Sequence, residues 1–326
     1  MIRTSVCELL GIEHPVALGG MPTLYNTPVL AAAVSEAGGI RIIGCTYLGA
    51  GEIAELAAAV RERTDRPFGL NSLMFVDDEA GYAASLEAAP ALVSLAWPRR
   101  DQDLGPWVDA AHAAGSKVSF MTADVEGALR GAEAGADVIV AQGTEAGGHV
   151  GRMALSALLP MVVDAVAPLP VLAAGGVADG RGLAASLAYG ADGVLLGTRF
   201  LATEESGLHP EFKRRIVESD GHDTVLTEIP DLTTGMVWPG AMSLVQRNRF
   251  IERWSGKEWE LREHRAAAAD AVQLARRSGD ADEAPMFFGQ DAGLIDDVPR
   301  AADLVSRIVA EAETIIADRL PPLVGK

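Results

Sequence analysis

The sequence predicts an α/β protein built as a (β/α)8 TIM barrel with a helical lid insertion. Three observations carry this. Short apolar strands alternate with alanine-rich helices from near residue 15 to near residue 200, glycine turns close helix after helix just before the next strand, and the pattern stops after Phe200. Strict alternation with short turns implies a parallel sheet, and eight units in about two hundred residues suit a closed barrel. An open, doubly wound sheet is the alternative. It usually carries its glycine-rich phosphate turn after the first strand, where this chain has only Gly19-Gly20-Met21.

Residues 15–18 read as the first strand, and the helix over 28–37 stops at Gly38-Gly39. Strand 40–43 leads to helix 51–63, strand 68–71 to helix 78–87, and strand 91–95 to helix 104–114. Strands 117–121 and 137–140 flank a helix over 125–134, a further helix begins near Ala154, and strands 171–174 and 193–196 complete the eight. Helix ends such as Glu133-Ala134-Gly135-Ala136-Asp137 and Ala188-Tyr189-Gly190-Ala191-Asp192 form a weak internal repeat, each a glycine C-cap handing directly to a strand. The expected organisation is a barrel from 1–205 and 281–326, with 206–280 as a helical insertion over its mouth. A peripheral oligomerisation arm, with a homodimer as its product, is the competing reading of that insertion. An amphipathic helix over 299–320 ends the chain.

Composition narrows the function. A net charge of -18 argues against nucleic acid, which the surface would repel. Two cysteines, Cys7 and Cys45, allow neither a disulfide framework nor a cysteine-rich metal site, which fits a reducing cytoplasm. The first residues lack the apolar core of a signal peptide, and the most apolar run, 154–178, is broken by Asp164 and three prolines. A soluble protein without a membrane span is expected.

In this fold ligands sit at the carboxyl ends of the strands, and phosphate often sits after the last two. Here those turns are Ala174-Gly175-Gly176-Val177 and Leu196-Gly197-Thr198-Arg199, whose backbone N–H groups form a ready anion cradle. Helix-capping turns without a ligand are the bland alternative. Met21, Asn71, Gln142 and His149 fall at or just after other strand ends. Asn and Gln offer donors and acceptors together, which suits the edge of a flat heterocycle. His149 sits in a glycine-flanked loop, Gly143-Thr144-Glu145-Ala146-Gly147-Gly148-His149, where Gly147 and Gly148 let a flat ligand approach the backbone. No cluster has metal-ligand spacing and no strand end offers a Ser–His–Asp set, so an organic cofactor is the expected source of chemistry.

Gln142-Gly143-Thr144-Glu145-Ala146-Gly147-Gly148-His149-Val150-Gly151 resembles the signature of the nitronate monooxygenase (2-nitropropane dioxygenase) family. Ala173-Ala174-Gly175-Gly176, Gly197-Thr198-Arg199-Phe200 and Gly289-Gln290-Asp291-Ala292-Gly293-Leu294 are similar to its other motifs, in the same order. The resemblance implies FMN bound without a covalent link, with its phosphate on Gly175, Gly176, Gly197 and Thr198. It implies Asn71 and Gln142 at the ring, Met21 packed near it, Gln290 closing over the site and His149 facing the substrate. The chain departs from the pattern at Ile40-Arg41-Ile42-Ile43 and at Ser94-Leu95-Ala96-Trp97-Pro98, both near the substrate side. Arg41 is open to two readings, an anion-binding group or a salt-bridged rim residue.

The leading expectation is an FMN-dependent enzyme that oxidises alkyl nitronates with O2 to carbonyl compounds and nitrite, with His149 as base or nitronate-binding group. The alternative is an NAD(P)H-dependent FMN reductase acting on a quinone or enoyl thioester, since flavin-dependent enoyl-acyl carrier protein reductases share the Glu-Ala-Gly-Gly-His pattern. A non-enzymatic flavin-binding protein is the third reading.

Overall fold

The computed structural model describes residues 1–22, 25, 27–77 and 79–324. Its strands are β1 (Val16–Pro22), β2 (Ile40–Gly44), β3 (Phe68–Leu73), β4 (Leu92–Ala96), β5 (Lys117–Thr122), β6 (Val138–Gln142), β7 (Gly148–Val150), β8 (Val171–Ala174), β9 (Gly193–Leu196), β10 (Thr224–Thr227) and β11 (Met242–Gln246). Eight of them close a barrel in the order β1-β2-β3-β4-β5-β6-β8-β9, and β9 returns to β1 with Val16 opposite Val194. Every neighbouring pair is parallel, as the alternation with helices requires.

Strand alternation divides the apolar residues into two layers. Val16, Leu18, Ile139, Ala173 and Val194 pack with Leu30, Leu158, Leu183 and Leu304 of the surrounding helices. Ala17, Ile40, Ile42, Leu92, Val138, Val140 and Leu172 form a separate cluster that fills the barrel interior. Val6, Cys7 and Leu10 join that inner cluster from an N-terminal helix, Ser5–Leu10, which the pattern did not predict. The helix plugs the amino end of the barrel, so ligands are left the opposite mouth.

Most barrel elements lie within a few residues of expectation. The predicted helix over 78–87 is Glu79–Glu87, with Asp78 outside the described residues. β1 and β3 run further than the sequence suggests and carry Met21 and Asn71 inside the strands. Gly19-Gly20 sits at a register shift in β1, and a Cβ on Gly20 would lie 2.5 Å from that of Asn71, so the two strands meet there too closely for a side chain. The terminal helix is Ala301–Thr314, shorter than the amphipathic pattern, and Ile315–Arg319 continues as a π turn.

Residues 206–280 are not only helical. Alongside helices such as Pro210–Glu218 and Arg265–Ser278 they contain β10 and β11. β11 pairs antiparallel with both β10 and β7, joining the insertion to the segment that follows β6. Strands of three to five residues are too short to show a period, which is why composition alone suggested helices.

Arg41 is not the salt-bridged rim residue that one sequence reading expected. It lies in mid β2, opposite Leu18 and Phe68, wholly buried, and its Nε, Nη1 and Nη2 have no partner among the described residues. Burial lowers its pKa well below the usual value. Among the described residues no helix is long and apolar enough to cross a membrane.

Candidate active site

A cavity of about 390 Å³ opens at the carboxyl ends of the barrel strands, and it lies within the usual range for small-molecule sites. Met21, Asn71, Gln142, Gly147, Gly148, His149, Gly175, Gly197 and Thr198, drawn from five strand ends, all line it. Two expected residues do not. Gly176 is absent from the wall, and Gln290 is exposed, with its backbone N–H donating to the Glu145 carbonyl at 2.9 Å. The neighbouring Asp291 lines the cavity instead. A turn of the 3-10 helix Gln290–Leu294 puts the two side chains on different sides, which a linear motif does not reveal.

The glycines divide by what surrounds them. A Cβ on Gly147 would lie 2.6 Å from the backbone of Phe288 and Gly289, so this glycine lets the C-terminal segment pack closely behind the cavity wall. Gly148 and Gly197 face open space. Gly175 and Gly176 hold φ of +97° and +70°, and side chains there would meet Ala146 and Glu145. The cradle at Gly197 is therefore one a side chain would fill.

The polar wall also suits a flat heterocycle. Gln142 is 8% exposed, and its Oε1 is buried without a partner among the described residues, which leaves an acceptor that can take an N–H. Asn71 donates its Nδ2 to the Ser94 carbonyl at 2.9 Å, which leaves its amide oxygen as the group to offer a ligand. The residues present fit FMN: an acceptor for a ring N–H, a small-residue floor and an open glycine turn for a phosphate.

His149 sits on β7 rather than in a loop, and β11 places Ser243 opposite it. Its Nε2 lies 2.7 Å from Asp231 Oδ1 and 3.1 Å from Ser243 Oγ, while Ser243 donates to Asp231 Oδ2 at 3.1 Å. Asp231 and Ser243 are both buried. A carboxylate that accepts from Nε2 keeps the proton there and leaves the lone pair on Nδ1. Trp238 stacks on the imidazole with centroids 3.4 Å apart and planes 11° from parallel. Phe75 and Trp97 pack against Trp238, and Trp97 holds φ of +53°, a strained backbone at the cavity rim. Asp231, Trp238 and Ser243 all come from the insertion, and the sequence carried no signal for them beyond the Trp itself.

The sequence profile of the nitronate monooxygenase family matches residues 3–95 and 83–311. The (3aS,4S,5R,7aS)-5-hydroxy-7a-methyl-1-oxo-octahydro-1H-indene-4-carboxyl-CoA dehydrogenase of Mycobacterium tuberculosis is 32% identical over 96% of this chain and 97% of its own. FabK from Thermotoga maritima superposes with a TM-score of 0.88 at 33% identity, covering 99% of this chain and all of that one (100%). A nitroalkane oxidase from Streptomyces ansochromogenes superposes with a TM-score of 0.81 at 28% identity, over 96% and 99% of the two chains.

Proposed function

This chain belongs to the nitronate monooxygenase family of oxidoreductases, and from that premise we propose that it is an FMN-dependent nitronate monooxygenase. Its substrates are alkyl nitronates and the nitroalkanes that give rise to them, with O2 as oxidant and a carbonyl compound and nitrite as products. The observation that carries the reading is His149, tied through Nε2 to Asp231 and placed in the wall of the strand-end cavity. A carbon acid such as a nitroalkane must lose a proton before it can give up electrons easily, and a neutral imidazole with one nitrogen anchored is suited to take it.

FMN bound in the cavity would supply the electron acceptor and the route to oxygen. The chain does the rest. Gln142 and Asn71 would hold the ring edge, and the Gly197–Thr198 turn would hold the phosphate. Trp238, Trp97 and Phe75 keep water from the imidazole. His149 Nδ1 takes the α-proton, and Asp231 and Ser243 hold the ring while it is charged. The insertion acts as a lid, because it supplies both the anchor and the aromatic cover. The two cysteines are buried and free, which suits a cytoplasmic setting.

One observation favours a second reading, oxidation or reduction beside the carbonyl of an acyl thioester. The CoA dehydrogenase and FabK are 32% and 33% identical, against 28% for the nitroalkane oxidase. Anaerobic mixing of the yellow protein with an alkyl nitronate, with NADH or NADPH, and with acyl-CoA compounds separates the two. Bleaching of the flavin band by the nitronate alone supports the proposal, and bleaching by a nicotinamide or an acyl-CoA alone overturns it.

A further inference from the structure

The phosphate turn has an unexpected neighbour. Asp291 lines the same cavity as Gly197 and Thr198, is 6% exposed, and its Oδ1 is buried without a partner among the described residues. The segment carrying it is fixed beside the turn, since Gly289 N donates to Thr198 Oγ1 at 2.9 Å. An ionised carboxylate here would repel a phosphate bound at the same turn, and Glu145 adds negative charge nearby. Arg199 is the adjacent cation, but its Nη2 is spent on the Ala202 and Asp297 carbonyls and on the Asp297 carboxylate. Arg276, whose Nε is buried without a partner among the described residues, is the arginine that lines the cavity.

We propose that Asp291 binds the FMN phosphate as a neutral acid, donating its proton to a phosphate oxygen, so that cofactor binding takes up one proton. This rests on the FMN reading above. The orphaned Oδ1 then has a partner, and the repulsion disappears. The site's own electrostatics agree. Burial pushes the Asp291 carboxyl up to about 7, with Glu145 in the same direction, against the pull of its own backbone N–H, the Thr198 hydroxyl and Arg199. The exposed Gln290 beside it in sequence has no such role.

The test is a flavin titration of apoprotein between pH 7 and 9, above the second ionisation of a phosphate monoester at about 6. FMN and riboflavin are compared on the native chain, Asp291→Asn and Asp291→Ala. One proton taken up per ligand weakens FMN binding by about tenfold per pH unit in the native chain. Riboflavin, which lacks the phosphate, is expected to show no such slope, and Asp291→Asn to bind FMN with none. Asp291→Ala loses a hydrogen bond to a charged group and binds FMN about ten- to a hundredfold more weakly at pH 7, with riboflavin unchanged. A flat profile in the native chain overturns the proposal, as does the same slope in Asp291→Asn or with riboflavin. Failure of any flavin to bind at any pH overturns the FMN reading itself and this proposal with it.

Discussion

A histidine removes a carbon-bound proton only if one ring nitrogen is held and the other is bare, and Asp231 and Ser243 hold His149 at Nε2. Proton removal by a positioned base is typically worth ~10²–10⁴-fold. His149→Ala is therefore expected to lose that much turnover on a neutral nitroalkane. It should lose less on the preformed nitronate, where only a hydrogen bond of about 0.5–3 kcal/mol is at stake. Asp231→Asn should repeat the selective loss, because an amide no longer keeps the proton on Nε2. Equal losses on both substrates would make His149 a binding group. The turn proposed to hold the phosphate is best tested at Gly197 and not at Gly176. At Gly176 a side chain is strained by φ of +70° and meets Glu145, so a failed variant would report strain. At Gly197, φ is -116° and the space is open. Gly197→Leu should keep the fold, by circular dichroism and thermal melting, and purify without flavin. A yellow Gly197→Leu would move the phosphate elsewhere. Gln142 and the cavity glycines were legible because they sit at or just after strand ends, and Asn71 and His149 because they lie close to one. Asp231 and Ser243 were not, lying 82 and 94 residues from their partner.

The barrel elements were legible for a plain reason: each is a short apolar run closed by a glycine cap, repeated often enough to show its period. β7, β10 and β11 lack that advantage, and they are the elements that carry the insertion to His149. The lid role can be separated from a packing role at a single side chain. Trp238→Ala removes the face stacked on His149 while leaving the β7–β11 pairing in place. Iodide should then quench the flavin fluorescence more strongly than in the native chain, and unchanged quenching would return the insertion to a peripheral arm. β2 offers a test of another kind. Arg41 has no ion pair and no hydrogen bond from its guanidinium among the described residues, and lies between Leu18 and Phe68 of the adjacent strands. Replacing even a buried ion pair by apolar residues of similar volume is often neutral or stabilising by about 1–4 kcal/mol, and an unpaired buried charge is costlier still. Arg41→Met is expected to raise the melting temperature, and a lower one would mean that the guanidinium has a role in the folded chain.

At the scale of the whole molecule the dominant feature is charge. A chain of net charge -18 repels itself more as pH rises, so a fall in stability toward alkaline pH would have no single cause. Asp291 adds a specific one. Its carboxyl stands at about 7 in the folded apoprotein, raised by burial, against about 3.9 in the unfolded chain. Between those values the native state keeps a proton that the unfolded state releases. Stability from this group is therefore greatest below pH 4 and falls as pH rises, by about 1.4 kcal/mol per unit, to a total loss of about 4 kcal/mol above pH 7. Asp291→Asn removes that titration but changes the general repulsion by at most one charge in eighteen. Urea unfolding of both apoproteins at pH 5 and pH 8 isolates the term as a difference. The native chain should lose more stability across that interval than the variant, by about 2–3 kcal/mol for the part of the titration spanned. Equal losses would mean that Asp291 is ionised in the folded apoprotein, and that the dry, proton-holding pocket beside the phosphate turn does not exist.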